Sequence, residues 1–166
     1  DRAAKQPAAG AAATNPAAHR LPEPLDPLNY ERGRFIDHAS AKLLKGWQIG
    51  VPDWQSLAGS KRPRFTNIPL LWANEAGAEL SLEFEGTAVG AYVVAGPDAG
   101  IVEASVDGGE FRKVDLFHAY SRGLHYPRTV LLAADLKPGR HALRLRVSEE
   151  TKSAGHAVRI VRLVAN

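Results

Sequence analysis

Cysteine and methionine are both absent from the 166 residues. Without Cys there can be no disulfide, no thiolate-bound zinc or iron–sulfur centre and no thiol nucleophile. Without Met the chain begins on no initiator, which predicts a processed product or a fragment whose leader or upstream domain is out of view. Long apolar runs are missing too. None approaches the ~18 to 20 residues of a membrane-spanning helix, so no membrane partner is expected. An excess of one charge is also lacking: 21 basic and 18 acidic residues leave a net +3. The basic residues are interleaved with acids rather than gathered in a stripe, so no nucleic-acid partner is expected. Extended amphipathic helices are absent as well, and the one short candidate is His38–Lys45.

What is present divides unevenly. Nine of the first 18 residues are Ala, and five prolines (Pro7, Pro16, Pro22, Pro24, Pro27) stand before Leu28. Proline removes backbone donors and favours extended chain, so residues 1–28 read as a linker, with a further domain expected ahead of it. From 29 to 166 strand patterns recur between turn signals. Leu80, Leu82 and Phe84 alternate with Glu79, Glu83 and Glu85, the mark of a half-buried strand. Residues 88–95 and 157–164 are apolar on both sides, as central strands are. Asp107–Gly108–Gly109 supplies the positive-φ tolerance of a tight hairpin between strands at 101–106 and 110–117. Further strands are read at 129–134 and 141–147, and shorter or irregular ones at 47–49 and 64–71. About eight or nine strands without alternating helices predict an all-β, antiparallel two-sheet β-sandwich.

The chemical residues are sparse. No Gly-x-Ser-x-Gly or Gly-Asp-Ser surrounds any serine. Asp115 and His118 have the spacing of an acid–base pair in one esterase superfamily, but a nucleophile is missing. The histidines form no His-x-His or His-x-x-x-His, so zinc is unsupported. No cofactor is expected. A structural calcium would need Asp98, Glu103 and Asp107 to meet, although Asp98 in Gly–Pro–Asp–Ala–Gly also suits a turn. Glu79, Glu83 and Glu85 could be glycosidase carboxylates, or could pair across strands with Arg144, Arg146, Arg159 or Arg162. The segment from His118 to Arg128 reads as a long inter-strand loop and holds two Tyr, two His and two Arg. Tyr120 and Tyr126 could stack on sugar rings while His118, Arg122, His125 and Arg128 bond their hydroxyls, or the loop could be pinned to the body by its aromatics. Trp47, Trp54 and Trp72 form a second group: exposed they make a sugar platform, buried a core, with Trp72 the strongest core candidate.

Several glycine and turn signatures resemble the accessory β-sandwich of bacterial SGNH/GDSL-type hydrolases. They are Gly86–Thr87–Ala88–Val89–Gly90, Ala95–Gly96–Pro97–Asp98–Ala99–Gly100 and Val106–Asp107–Gly108–Gly109. They continue through Asp115–Leu116–Phe117, Gly123–Leu124–His125–Tyr126–Pro127, Leu136–Lys137–Pro138–Gly139–Arg140–His141 and Gly155–His156–Ala157–Val158–Arg159–Ile160. Leu25–Asp26–Pro27–Leu28–Asn29–Tyr30 and Gly46–Trp47 resemble the approach to the same domain, so the likeness covers about residues 22–166. It implies a jelly-roll, galactose-binding-like fold beside a carbohydrate esterase domain in an extracellular or periplasmic protein. The family's nucleophile block lies in its catalytic domain and has no match here, so the resemblance implies no catalytic residue. It implies a polysaccharide or oligosaccharide ligand, or a structural domain that shapes the cleft of the adjacent hydrolase.

Overall fold

The computed structural model describes residues 21–26 and 28–166; the rest of the Ala- and Pro-rich stretch lies outside the described residues. The strands in chain order are β1 (Arg34–Ile36), β2 (Ala41–Lys45), β3 (Gln48–Gly50), β4 (Leu70–Ala73), β5 (Glu79–Gly86), β6 (Val89–Ala95), β7 (Ile101–Val106), β8 (Arg112–Asp115), β9 (Tyr126–Ala133), β10 (Gly139–Val147) and β11 (Val158–Ala165). They form two antiparallel sheets. One runs β3-β4-β11-β6-β9, with β1 also on β11; the other runs β2-β5-β10-β7-β8. The predicted two-sheet sandwich is therefore the architecture.

Alternation builds the core. Leu80, Leu82 and Phe84 of β5 and Leu143, Leu145 and Val147 of β10 point between the sheets and meet Leu71, Val93, Ile160 and Leu163 of the facing sheet. Each fully buried Leu or Ile contributes about 1.5–3 kcal/mol. The opposite faces of the two sheets differ. Beyond the six-stranded sheet, the connection from 51 to 69 folds back over the outer surface. It seats Trp54 and Phe65 against Leu70, Val94 and Val161, with Leu57, Ile68, Trp72 and Tyr92 around them. This lid explains why β6 and β11 are apolar on both sides. The five-stranded sheet has a charged outer face, where Arg144 pairs with Glu79 and Arg146 with Glu103.

The hairpin between β7 and β8 turns on Asp107 (φ 54°) and Gly108 (φ 75°), the positive-φ pair of a tight turn. Asp107 also accepts a hydrogen bond from the Ala142 amide at 2.8 Å, which ties the turn to β10.

Three local expectations are corrected. His38–Lys45 is not a helix: a single 3-10 turn, His38–Ser40, is capped by Asp37, and β2 follows, paired with β5. Eight residues nucleate a helix poorly, and the β5 edge supplies partners for the backbone. Residues 64–71 are not one strand but a one-turn helix, α1 (Pro63–Thr66), followed by β4. Pro63 suits the first helical turn, where its missing N–H has no partner to lose. The strand expected at 110–117 shortens to β8, whereas β9 begins at Tyr126, three residues earlier than expected.

Candidate functional site: an aromatic patch at one end of the sandwich

Antiparallel pairing brings three connections to the same end: 96–100 after β6, 116–125 after β8 and 148–157 after β10. Backbone bonds lash them together, from Ala154 N to Pro97 O (3.1 Å), Ala157 N to Asp98 O (2.8 Å) and Leu116 N to Gly100 O (3.2 Å). The lid joins them through Ser60, whose amide donates to Gly123 O and whose carbonyl accepts from His125 N, both at 2.8 Å.

Beneath this end lies a buried ion pair. Arg159, 1% exposed, donates from both terminal nitrogens to the Asp98 carboxylate at 2.9 and 2.7 Å. Burial works to raise the Asp98 carboxyl, but the hydrogen bonds and charge of Arg159 outweigh it and hold the group below its ordinary range. The guanidinium carbon lies 5.6 Å from the Trp54 ring centre, and the Trp54 ring meets the His125 ring edge-on at 5.1 Å. His125, 1% exposed, donates from Nε2 to Ala58 O at 3.0 Å. Burial pushes its pKa down and the nearby Arg159 adds to this, so the ring is neutral at pH 7. His125 Nδ1, Trp54 Nε1, Ser121 Oγ and Arg159 Nε have no hydrogen-bond partner among the described residues.

Above it, three rings converge. His118 caps the 3-10 helix Ala119–Arg122, its Nδ1 accepting from Tyr120 N at 3.3 Å. Its ring stacks on Tyr126 with centres 5.2 Å apart and planes 19° from parallel. Tyr120, 64% exposed, lies 5.2 Å from His118 and 5.3 Å from Tyr126. Such offset and tilted contacts are favourable geometries for π-systems. Arg122, at the end of the same 3-10 helix, is exposed, and Arg128, two residues beyond Tyr126 on β9, is half-buried.

The fold thus gathers His118, Tyr120 and Tyr126, with Arg122 and Arg128 adjoining them. It does not bring the other candidates to the surface. His125 lies below the patch, where burial and its bond to Ala58 withhold it from an external ligand. Trp47 and Trp54 are buried, Trp47 in the main core and Trp54 under the lid, so neither offers a ring face to solvent. Trp72, the strongest core candidate in the sequence, is only half-buried. Tyr126 and Arg128 belong to β9 rather than to a loop.

The remaining chemical readings separate cleanly. Asp115 accepts from Phe117 N at 2.9 Å and faces Lys152 at 3.5 Å, with no bond to His118. Among the described residues no serine hydroxyl is bonded to a histidine ring, so the acid–base spacing forms no triad here. The three calcium candidates do not meet: Asp98 holds Arg159, Glu103 holds Arg146 and Ser148, and Asp107 holds His141. No cluster of three potential metal ligands occurs among the described residues. Of the β5 glutamates, Glu79 makes the cross-strand pair with Arg144, whereas Arg146 and Arg159 take other carboxylates.

A cleft of about 700 Å³ lies at the far end between β1 and β5, lined by Phe35, Phe84, Arg140 and His141 among others. The buried Arg159–Asp98 pair was missed in the sequence. Its signal was an arginine inside a strand apolar on both sides, which demands a buried counter-charge.

No model of a protein family matches the sequence, and no curated protein matches it either. Solved structures share the fold. A two-domain esterase (CEX) active on acetylated mannans, co-crystallized with mannopentaose, superposes with a TM-score of 0.63 at 15% identity, over 88% of this chain and 39% of that one. A second structure of such an esterase gives 0.57 at 17% identity, over 87% and 38%. The exo-beta-1,3-galactanase of Phanerochaete chrysosporium, solved with galactose, gives 0.51 at 17% identity, over 80% and 29%. The chain therefore spans about two fifths of the length of these esterases. Its fold is that of a β-sandwich portion of two-domain carbohydrate esterases.

Proposed function

We propose that the chain is a non-catalytic carbohydrate-binding module that holds a neighbouring SGNH/GDSL-type esterase domain near a polysaccharide, outside the cell or in the periplasm. The observation that carries this reading is the ring cluster of His118, Tyr120 and Tyr126 at the end of the sandwich. An exposed ring presents a flat apolar face to the C–H face of a sugar, and Arg122 beside it supplies donors to hydroxyls. Because the loop that carries the ring cluster is fastened by backbone bonds to Gly100 and Ser60, little conformational entropy is lost on binding. Isothermal titration of the chain with mannans, galactans and their oligosaccharides tests this. Binding should weaken about tenfold in Tyr120→Ala, the equivalent of about 1.4 kcal/mol, with thermal stability unchanged. If no glycan binds at millimolar concentration, the module reading fails.

A second reading is favoured by a different surface. Phe35, Val164, Gly90 and Leu131 stand in one row across the outer face of the six-stranded sheet, in register through β1, β11, β6 and β9. Phe35 is 73% exposed, and the adjoining groove of about 230 Å³ has an almost wholly apolar lining. An exposed patch of this kind marks an interaction surface, which suits a structural domain docked on the hydrolase. The two readings separate when the esterase is assayed with and without this domain. Loss on polymer alone supports sugar binding, and equal loss on soluble and polymeric substrates supports docking.

A further inference from the structure

We infer that the ligand of the aromatic patch is an anionic glycan, one whose rings carry carboxylates; this rests on the reading of the patch as a sugar site. Arg122 and Arg128 take part in none of the ion pairs among the described residues. Their counterparts Arg144, Arg146 and Arg159 each hold a carboxylate. Arg128 is two residues from Tyr126 along β9, so the two side chains share one face of the strand. Arg122 closes the 3-10 helix that carries Tyr120.

Of the acids on the connections at this end, Asp98, Asp115 and Glu150 are engaged, whereas Glu149 is exposed and takes part in no ion pair among the described residues. Asp98 is held by Arg159, and Asp115 lies 3.5 Å from Lys152 while accepting from Phe117 N. The patch therefore combines stacked rings with two guanidiniums, Arg122 and Arg128, that take part in no ion pair among the described residues. A neutral sugar would use the rings and leave those charges to solvent. A uronate would use both, since a guanidinium meets a carboxylate through two parallel charge-assisted hydrogen bonds. An acidic polymer would place such carboxylates at regular intervals along the loop. The rings favour a glycan over a nucleic acid because the cations are few and gathered at one end rather than spread along a groove.

The experiment titrates the full chain with polygalacturonate and alginate, with the carboxyl-reduced form of each, and with an oligothymidylate of matched charge, at low and moderate salt. One uronate polymer should bind at least about tenfold more tightly than its reduced form, as expected for hydrogen bonds to a charged group. The advantage should shrink as salt rises. Arg122→Gln and Arg128→Gln should each remove most of it, while Arg122→Lys retains part. Should Arg128→Gln unfold, Arg122→Gln, on an exposed position, still carries the test. Equal affinity for uronate and reduced polymers, or binding to neutral glycans alone, overturns the inference and leaves the sugar site standing. Binding to no glycan at all, charged or neutral, removes the sugar site and the inference together. Tighter binding to the oligothymidylate than to any uronate overturns the inference in favour of a nucleic acid.

Discussion

The outer faces of the two sheets received opposite treatment. On the six-stranded sheet the 51–69 connection folds back as a lid, and the face beneath becomes a second apolar cluster with a buried guanidinium at its end. On the five-stranded sheet no such lid is seated over β5 and β10 among the described residues, and Arg144 and Arg146 reach solvent while pairing with the more buried Glu79 and Glu103. The same pairing of Arg with carboxylate therefore does different work. Arg159 and Asp98 have left most of their hydration behind, so each depends on the other. The Arg144 guanidinium, 58% exposed, keeps its hydration, so it can be removed at little cost.

The sharpest test of this contrast removes the buried cation. Arg159→Met leaves the Asp98 carboxylate uncompensated and should cost about 3–5 kcal/mol, read by urea denaturation. Asp98→Asn should cost a similar amount, and the double variant less than the sum of the two. Simple additivity would mean that the pair does not act as a unit.

Next in size is Gly96→Ala. A Cβ at Gly96 would fall inside contact distance of the His125 ring and 2.9 Å from Asp98 Oδ1. Overpacking of this kind should cost about 1–3 kcal/mol, and the shift it forces on the 116–125 connection should weaken ligand binding. An unchanged melting temperature and affinity would show that the loop end has slack.

A smaller effect distinguishes two histidines. Burial lowers the pKa of His125, and Arg159 lowers it further. The hydrogen bond to Asp107 raises that of His141, which also donates to Lys137 O. The signs are opposite. Below pH about 6.5, the unfolded-state value, the unfolded chain takes up a proton at position 125 that the folded chain resists, so stability falls as pH drops. His141 contributes fully below that value and loses its contribution as pH rises through its raised folded pKa. His125→Gln should flatten the acid side of the stability profile and His141→Gln the alkaline side. His38, lowered by burial and by Arg162, leaves a residual acid slope. Profiles of wild type and variants that coincide would remove both assignments. The smallest change is expected for Arg144→Ala on the open face, whose denaturation midpoint should stay within error of wild type; a loss like that of Arg159→Met would end the comparison.

Much of this contrast was legible in the order of residues. Alternation along Glu79–Phe84 and His141–Val147 identified strands with one wet face, and unbroken apolarity at 88–95 and 157–164 identified strands covered on both. The Asp107–Gly108–Gly109 turn was equally plain because its backbone conformation is a local property. The candidate site was legible only in part. Tyr120 and Tyr126 were singled out by composition, but nothing local told Tyr120 from Trp54, since exposure depends on which distant segment folds over a ring. His125 reads as a ligand-contacting residue on a loop until Ala58 and Trp54 arrive from the lid to bury it. His38–Lys45 reads as a helix until the β5 edge offers its backbone a ladder.

The amino-acid order by itself determined that two layers of strands would form, where they would turn and that no cysteine or serine-centred chemistry is spelled out in it. These follow from side-chain periodicity and residue type, which act over a few neighbours. Only the tertiary structure decided which rings meet solvent, that Arg159 finds Asp98 61 positions away, and that Arg122 and Arg128 take part in no ion pair among the described residues. Desolvation and charge pairing are set by whatever packs nearby in space, and sequence distance does not record it.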